Sequence, residues 1–232
     1  MSGKRVLVIG ANRGIGLNLI KEFVKRGWTT YGTVRPQTRD DPSCDELRET
    51  GTKIFELDYT DDSTIAQAAE KYGNEPLDCL VNCGGVGPQP FAWDADGRER
   101  LLEMFNIMAA GPYLATKHFI PKLEKSSKPV VANISSEFGC IAPNERGGFL
   151  GYRMAKAALN QQTKTIAQAF KDGDSKIIFL ALEPGYLATR LTGWKGEDDM
   201  EASVKGMVDI IQRAEHSDTG LFYTYAGEKL QY

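Results

Sequence analysis

The sequence predicts an α/β protein, a doubly wound sheet of about seven mostly parallel strands with helices on both faces. Two observations carry that expectation. Short apolar runs alternate with longer amphipathic stretches along the chain, and a glycine-rich turn separates the first run from the first stretch. Residues 5–9, 29–34, 53–57, 77–81, 129–134, 176–182 and 221–225 are short and rich in β-branched, leucine and aromatic side chains, and they read as strands. Between them, residues 15–26, 62–72, 98–124, 151–170 and 201–214 repeat apolar residues at helical spacing, several preceded by Asp, Ser or Asn suited to capping. A helix between successive strands lets neighbours run parallel, and such a sheet takes ligands at the carboxyl ends of its strands.

At 232 residues the chain is long enough for one large domain, and no repeat or low-complexity linker divides it, so residues 1–232 are expected to form a single unit. The formal charge of -3 offers no basic field for nucleic acid or anionic lipid, and neither is expected as a partner. The first apolar run, Val6 to Ile9, is too short for a signal segment or a membrane span, which predicts a cytoplasmic protein. Cys44, Cys79, Cys83 and Cys140 show no metal-ligand spacing with one another or with His118 and His216. Free thiols are predicted, with no metal and no disulfide.

The turn after the first strand reads Gly10-Ala11-Asn12-Arg13-Gly14-Ile15-Gly16 and opens directly into an amphipathic helix. Glycines let the backbone approach phosphates closely, and a helix N-terminus directs unpaired N–H groups toward them, so this Rossmann-type turn is expected to cradle a dinucleotide pyrophosphate. Its spacing is GxxxGxG rather than GxGxxG. A dinucleotide with a free ribose 2'-hydroxyl is usually met by an acidic residue at the end of the second strand. Arg35 stands there, and with Arg13 it predicts a 2'-phosphate and hence NADP(H). Two solvated surface arginines are the alternative.

Tyr152 and Lys156 lie one helical turn apart, and a nearby cation is expected to pull the phenol below its usual value of about 10 and make it a proton donor. The same spacing recurs at Tyr113/Lys117 and Tyr225/Lys229, so context must choose. The first of those pairs falls within a long helix and the second straddles a glycine near the end. Ser136, just past a strand and sixteen positions before Tyr152, would add a hydroxyl beside an oxygen that gains negative charge; capping a turn is its alternative role.

Taken in order, Gly10/Gly14/Gly16, Asn82-Cys83-Gly84-Gly85, Ser136, Tyr152-x-x-x-Lys156 and Pro184-Gly185 resemble the short-chain dehydrogenase/reductase family over nearly the whole chain. Ser135-Ser136, Gly147-Gly148, residues 152–160 and Gly227-Glu228-Lys229-Leu230 are similar to its C-factor and sniffer-like carbonyl reductase branch. The resemblance implies that Ser136 holds a substrate carbonyl, Tyr152 donates the proton and Lys156 binds the nicotinamide ribose. It also implies cofactor contacts from Asn12 and Ile15 in the cradle, from Asp58 to adenine, from Asn82 and Gly84 at the fourth strand, and from Pro184, Gly185 and Thr189 near the nicotinamide. Capping for Asp58, turn-making for Asn82 and exposure for Thr189 are the alternatives.

Two positions depart from the family's pattern. Met108 stands where a catalytic asparagine is usual, and Asn106, about 200° around an ideal helix, cannot take its place. Asn82-Cys83-Gly84-Gly85 replaces the usual Asn-Asn-Ala-Gly. Substrate contacts are expected from the segment Val86 to Asp96, with Phe91 and Trp93, from Phe138, and from Tyr186 and Trp194 around a lid after Pro184-Gly185. The sequence thus predicts an NADPH-dependent reductase of an aldehyde, ketone or quinone. Met108 keeps open an NADP(H)-binding protein with a weak or non-redox role, or a specialised biosynthetic dehydrogenase or isomerase. Residues 98–124 and 151–170 match helices that the family often pairs in a homodimer.

Overall fold

The computed structural model describes residues 3–87, 91–171, 173 and 175–232. Its eight strands are β1 (Arg5–Ile9), β2 (Thr29–Val34), β3 (Lys53–Glu56), β4 (Cys79–Asn82), β5 (Val130–Ile134), β6 (Ile178–Glu183), β7 (Leu221–Thr224) and β8 (Lys229–Leu230). They form one sheet in the order β3-β2-β1-β4-β5-β6-β7-β8. All neighbours are parallel except β7 and β8, which form an antiparallel hairpin. The doubly wound, mostly parallel sheet is the one expected, with one strand beyond about seven; the two residues of β8 are too few to show a period of their own.

The helices are α1 (Gly14–Lys25), α2 (Asp45–Glu49), α3 (Asp62–Tyr72), α4 (Arg98–Phe105), α5 (Gly111–Leu123), α6 (Leu150–Lys171) and α7 (Met200–Arg213). Side chains alternate across a strand, and β1 shows the result. Val6 and Val8 pack with Leu19, Phe23, Leu47, Val204 and Met207 of α1, α2 and α7, whereas Leu7 and Ile9 pack with Ile65, Phe119 and Ala167 of α3, α5 and α6. Both faces of the sheet are therefore covered.

The expected single helix over 98–124 is interrupted. Residues Asn106–Ala110 form a π turn between α4 and α5, in which the Gly111 N–H reaches back to the Asn106 carbonyl. Pro112 supplies a reason: it has no N–H to donate to the Met108 carbonyl, so the regular ladder cannot pass through it.

Because β1 is flanked by β2 on one side and β4 on the other, the strand order reverses between β1 and β4. The chains leaving those two strands come close together. A Cβ on Gly10, whose φ is +83°, would lie 2.8 Å from the Gly84 Cα. This crevice at the carboxyl edge is where the site is assembled.

Candidate active site

Helix α1 starts at Gly14 with no carboxylate in its first turn, which leaves its N-terminal N–H groups and positive dipole end available to an anion. The preceding turn folds tightly on itself, since a Cβ on Gly16 would sit 2.1 Å from the Gly10 carbonyl oxygen. Across from it, the side chain of Thr189 approaches to 3.6 Å of a Cβ built on Gly14, so the segment after Pro184-Gly185 closes over the start of α1. The Asn12 amide donates to the Ser43 hydroxyl at 3.0 Å and steadies the turn from below β2.

Arg13 gathers with Arg190 and Arg35 beside this turn. Burial and then the repulsion of Arg190 and Arg35 push the Arg13 guanidinium below its ordinary value, with Asp41 opposing. Asp41 is itself held low by the Ser43 N–H it accepts from, and by Arg13 and Arg190. Among the described residues no ion pair engages Arg13, Arg35 or Arg190. An Arg13 guanidinium crowded by those of Arg35 and Arg190 beside a helix N-terminus fits a polyanionic ligand such as a dinucleotide with an extra phosphate. Arg190 was not foreseen; its adjacency to Thr189 was the available signal.

Other expected cofactor residues have local partners. Asp58 accepts from the Thr60 N–H at 2.9 Å and the Thr60 hydroxyl at 2.7 Å, capping the turn after β3. Asn82 accepts from the Tyr59 hydroxyl at 2.9 Å and donates to Asn133 at 2.7 Å and Thr116 at 3.1 Å, which ties β4 to β5 and α5. Thr189 is buried and pairs with Thr192 in a reciprocal cap.

At the other end of the crevice, Ser136 follows β5 and caps the turn Glu137–Gly139, its hydroxyl accepting from the Phe138 N–H at 3.2 Å. The same hydroxyl lies near enough to the phenol of Tyr152 to favour its charged form. Tyr152 and Lys156 are buried on the inner face of α6, with the Lys156 Nζ 5.7 Å from the centre of the Tyr152 ring. Of the three Tyr-x-x-x-Lys pairs only this one meets Ser136. Tyr113 is exposed on α5, and the Tyr225 hydroxyl donates to Asp198 at 3.2 Å.

The electrostatics correct one expectation. Burial pushes the Tyr152 phenol up rather than down, the negative charge of Glu183 adds to the rise, and only the nearby Ser136 hydroxyl opposes it. The phenol is packed in an apolar cluster with Met104, Met108 and Ala155, where desolvation of the phenolate outweighs a distant cation. Lys156 is driven down to about 8 by the same burial, with Cys83 and Glu183 opposing. Met108 is buried with its sulfur 3.8 Å from a Cβ built on Gly85, whereas Asn106 is exposed. No side-chain amide therefore stands at position 108.

Glu183, the last residue of β6, was also missed in the sequence, although a carboxylate ending the run Ile-Phe-Leu-Ala-Leu was a signal. It accepts from the Gly185 N–H at 3.1 Å and from the Glu137 N–H, which binds the two loops that carry Ser136 and Pro184-Gly185 to each other. Burial raises this carboxyl to about 7, against the pull of those hydrogen bonds.

A run of rings leads outward from the phenol. Phe138 meets Tyr152 edge-on at 6.2 Å and stacks on Phe149 at 5.8 Å, and Phe149 meets Phe91 edge-on at 5.1 Å. The Arg153 guanidinium covers Phe138 at 4.2 Å. Phe149, absent from the sequence-based expectation, takes a left-handed φ of 54° to enter this run. Trp93, Tyr186 and Trp194 are exposed at the same edge, and the two loops that carry them touch where Gly87 abuts Leu191. Residues 88–90 of the expected substrate segment lie outside the described residues.

The glycine-rich turn at the N-terminus of α1 and the group of Ser136, Tyr152 and Lys156 lie at the switch point of a parallel sheet, the place where Rossmann-type folds take their ligands. The chain belongs to the short chain dehydrogenase family, whose family model matches residues 4–200. It is 30% identical to the C-signal protein of Myxococcus xanthus over 158 residues, 67% of this chain and 92% of that one. The NADPH-bound carbonyl reductase from chicken fatty liver superposes with a TM-score of 0.90 at 27% identity, covering 100% of both chains. The carbonyl reductase Sniffer of D. melanogaster shares the fold with a TM-score of 0.90 at 24% identity, covering 99% of this chain and 100% of its own.

Proposed function

We propose that the chain is an NADPH-dependent carbonyl reductase acting on an aldehyde, ketone or quinone, with Tyr152 as the acid. The observation that carries this reading is the convergence of Ser136 and Lys156 on Tyr152 opposite an unpaired arginine cluster. When bound, NADPH supplies the hydride. Ser136 holds the substrate oxygen, Tyr152 gives it a proton as charge develops there, and Lys156 holds the ribose and favours the phenolate that remains. The cradle of Gly10, Gly14 and Gly16 takes the pyrophosphate, and Arg13 and Arg35 take the 2'-phosphate. Asp58 faces the adenine side, while Gly185 and Thr189 border the nicotinamide side. The similarity to an NADPH-bound reductase supports this choice of cofactor.

The rings of Phe91, Phe138 and Phe149 favour an aromatic or hydrophobic carbonyl compound. Exposed Leu102, Phe105, Tyr113 and Met154 on α4, α5 and α6 support a homodimer through those helices. Four free thiols accord with a cytoplasmic setting. Among the described residues no helix is long and apolar enough to cross a membrane.

Reduction of 4-nitrobenzaldehyde, followed as loss of NADPH absorbance, tests the reading. Tyr152→Phe is expected to lower kcat by at least about 100-fold. Full turnover in that variant would remove Tyr152 from the role of acid. Met108 favours a second reading, an NADP(H)-binding protein without redox turnover. Tight NADPH binding with no oxidation across a panel of aldehydes, ketones and quinones would select it.

A further inference from the structure

Arg153, the residue after Tyr152 in α6, binds three successive carbonyls. Its Nε donates to the Gly148 carbonyl at 3.0 Å, its Nη2 to the Gly147 carbonyl at 3.2 Å and its main-chain N–H to the Phe149 carbonyl at 3.0 Å. Those three residues all take a left-handed φ, of 61° at Gly147, 72° at Gly148 and 54° at Phe149. Glycine adopts that region freely, but in Phe149 the Cβ crowds the backbone, so its surroundings must hold it there. Arg153 is the side chain that does so, and the same guanidinium lies 4.2 Å from the centre of the Phe138 ring. Among the described residues no ion pair engages Arg153, which leaves its charge to the carbonyls and the ring.

One arginine thus ties the turn before α6 to the turn after Ser136, and both turns carry rings. Phe149 stacks on Phe138, and Phe138 meets the Tyr152 ring edge-on. Phe91 rests on the turn itself, since a Cβ on Gly148 would fall 2.5 Å from its ring. Phe91 is 61% exposed, so the outer end of this wall is open to a ligand. We propose that Arg153 is the positioning residue that holds the wall of rings in one arrangement beside Tyr152, and so sets a preference for flat aromatic carbonyl compounds over flexible aliphatic ones. The proposal rests on the reading of the three phenylalanines as substrate contacts. An aromatic substrate gains from edge-on and offset contacts, which need partner rings at fixed angles. The contact of an aliphatic chain has no preferred direction and loses less when those rings turn.

Reduction of 4-nitrobenzaldehyde and of hexanal by the full chain, followed as loss of NADPH absorbance, gives the ratio of the two kcat/KM values. Arg153→Met, unbranched but without donors or charge, is expected to lower that ratio about tenfold, chiefly through the KM of the aromatic aldehyde. A smaller folded fraction lowers both values alike and leaves the ratio where it was, so an unchanged ratio overturns the proposal. Should Arg153→Met fail to fold, Arg153→Lys keeps the charge without the planar fork and is expected to lower the ratio about threefold. An unmoved ratio in that variant is equally fatal. Phe149→Ala separates the two ideas. If it leaves the ratio unmoved, the rings are not substrate contacts and the reading beneath the proposal fails; if it lowers the ratio while Arg153→Met does not, only the role of Arg153 fails. A wild type that reduces neither compound sinks the reductase reading and, with it, any part for Arg153 in substrate choice.

Discussion

Lys156 donates a hydrogen bond to the main-chain carbonyl of Ile134 at 2.8 Å, so the ammonium on α6 is fastened to the last residue of β5. This bond sets the height of the helix over the sheet edge and holds the lysine inside despite its charge. In the folded chain burial lowers Lys156 to about 8 from its ordinary 10.5. Between those values the unfolded chain binds more protons, so this lysine makes stability rise with pH across that window. Lys156→Met is therefore expected to stabilise the ligand-free protein at pH 7 by on the order of 2 kcal/mol, the gain vanishing above about pH 10.5. Urea unfolding at the two pH values checks it, and a gain independent of pH would refute it.

Met108→Asn places an amide in the apolar cluster around Tyr152. It trades a well-packed thioether for a buried polar group, and the expected cost is roughly 2–4 kcal/mol of folding stability. Because Ser136, Tyr152 and Lys156 are untouched, kcat is expected to stay within about twofold of wild type. A large gain in kcat would show that the amide is the missing part.

Arg190 comes from the segment that closes over α1, whereas Arg35 directly follows β2, so their losses should differ in kind. Arg35→Ala is expected to erase the preference for NADP(H) over NAD(H). Arg190→Ala should weaken NADP(H) binding about tenfold, near 1.4 kcal/mol, and flatten its salt dependence. Isothermal titration calorimetry at two ionic strengths reads both. Unchanged affinity in Arg190→Ala would leave that arginine a bystander.

Gly16→Ala sets two effects against each other. Alanine gains about 1 kcal/mol of helix propensity in α1. The added Cβ would fall 2.1 Å from the Gly10 carbonyl oxygen, a main-chain atom that cannot swing aside. The clash wins, and a loss of at least about 2 kcal/mol is expected, with weaker NADPH binding because the turn must open. A melting temperature equal to or above wild type would contradict this.

Much of the fold was legible because its central strands β1, β4, β5 and β6 are almost wholly buried and its helices half-buried, which writes two different patterns into the chain. Residues 5–9 and 29–34 coincide with β1 and β2, and 62–72 with α3. The five residues of α2 and two of β8 are shorter than any period, and the π turn at Asn106–Ala110 alters hydrogen bonding without altering apolar content. Ser136, Tyr152 and Lys156 could be named because they share one short stretch with a distinctive setting. Glu183, Arg190 and Phe149 could not, because what marks them is proximity to residues far away in the chain. The direction of the Tyr152 shift was misjudged for a related reason: spacing reveals a neighbouring charge but not the apolar wall around the phenol.

The chain has three tryptophans, and two of them, Trp93 and Trp194, stand 76% and 72% exposed on the two loops that meet at Gly87 and Leu191. Trp28 instead packs against Phe23 at 5.0 Å, away from that edge. Emission from the first two indoles therefore reports on the mouth of the crevice while the third stays constant, so the protein carries its own optical gauge of how far those loops draw together when something enters.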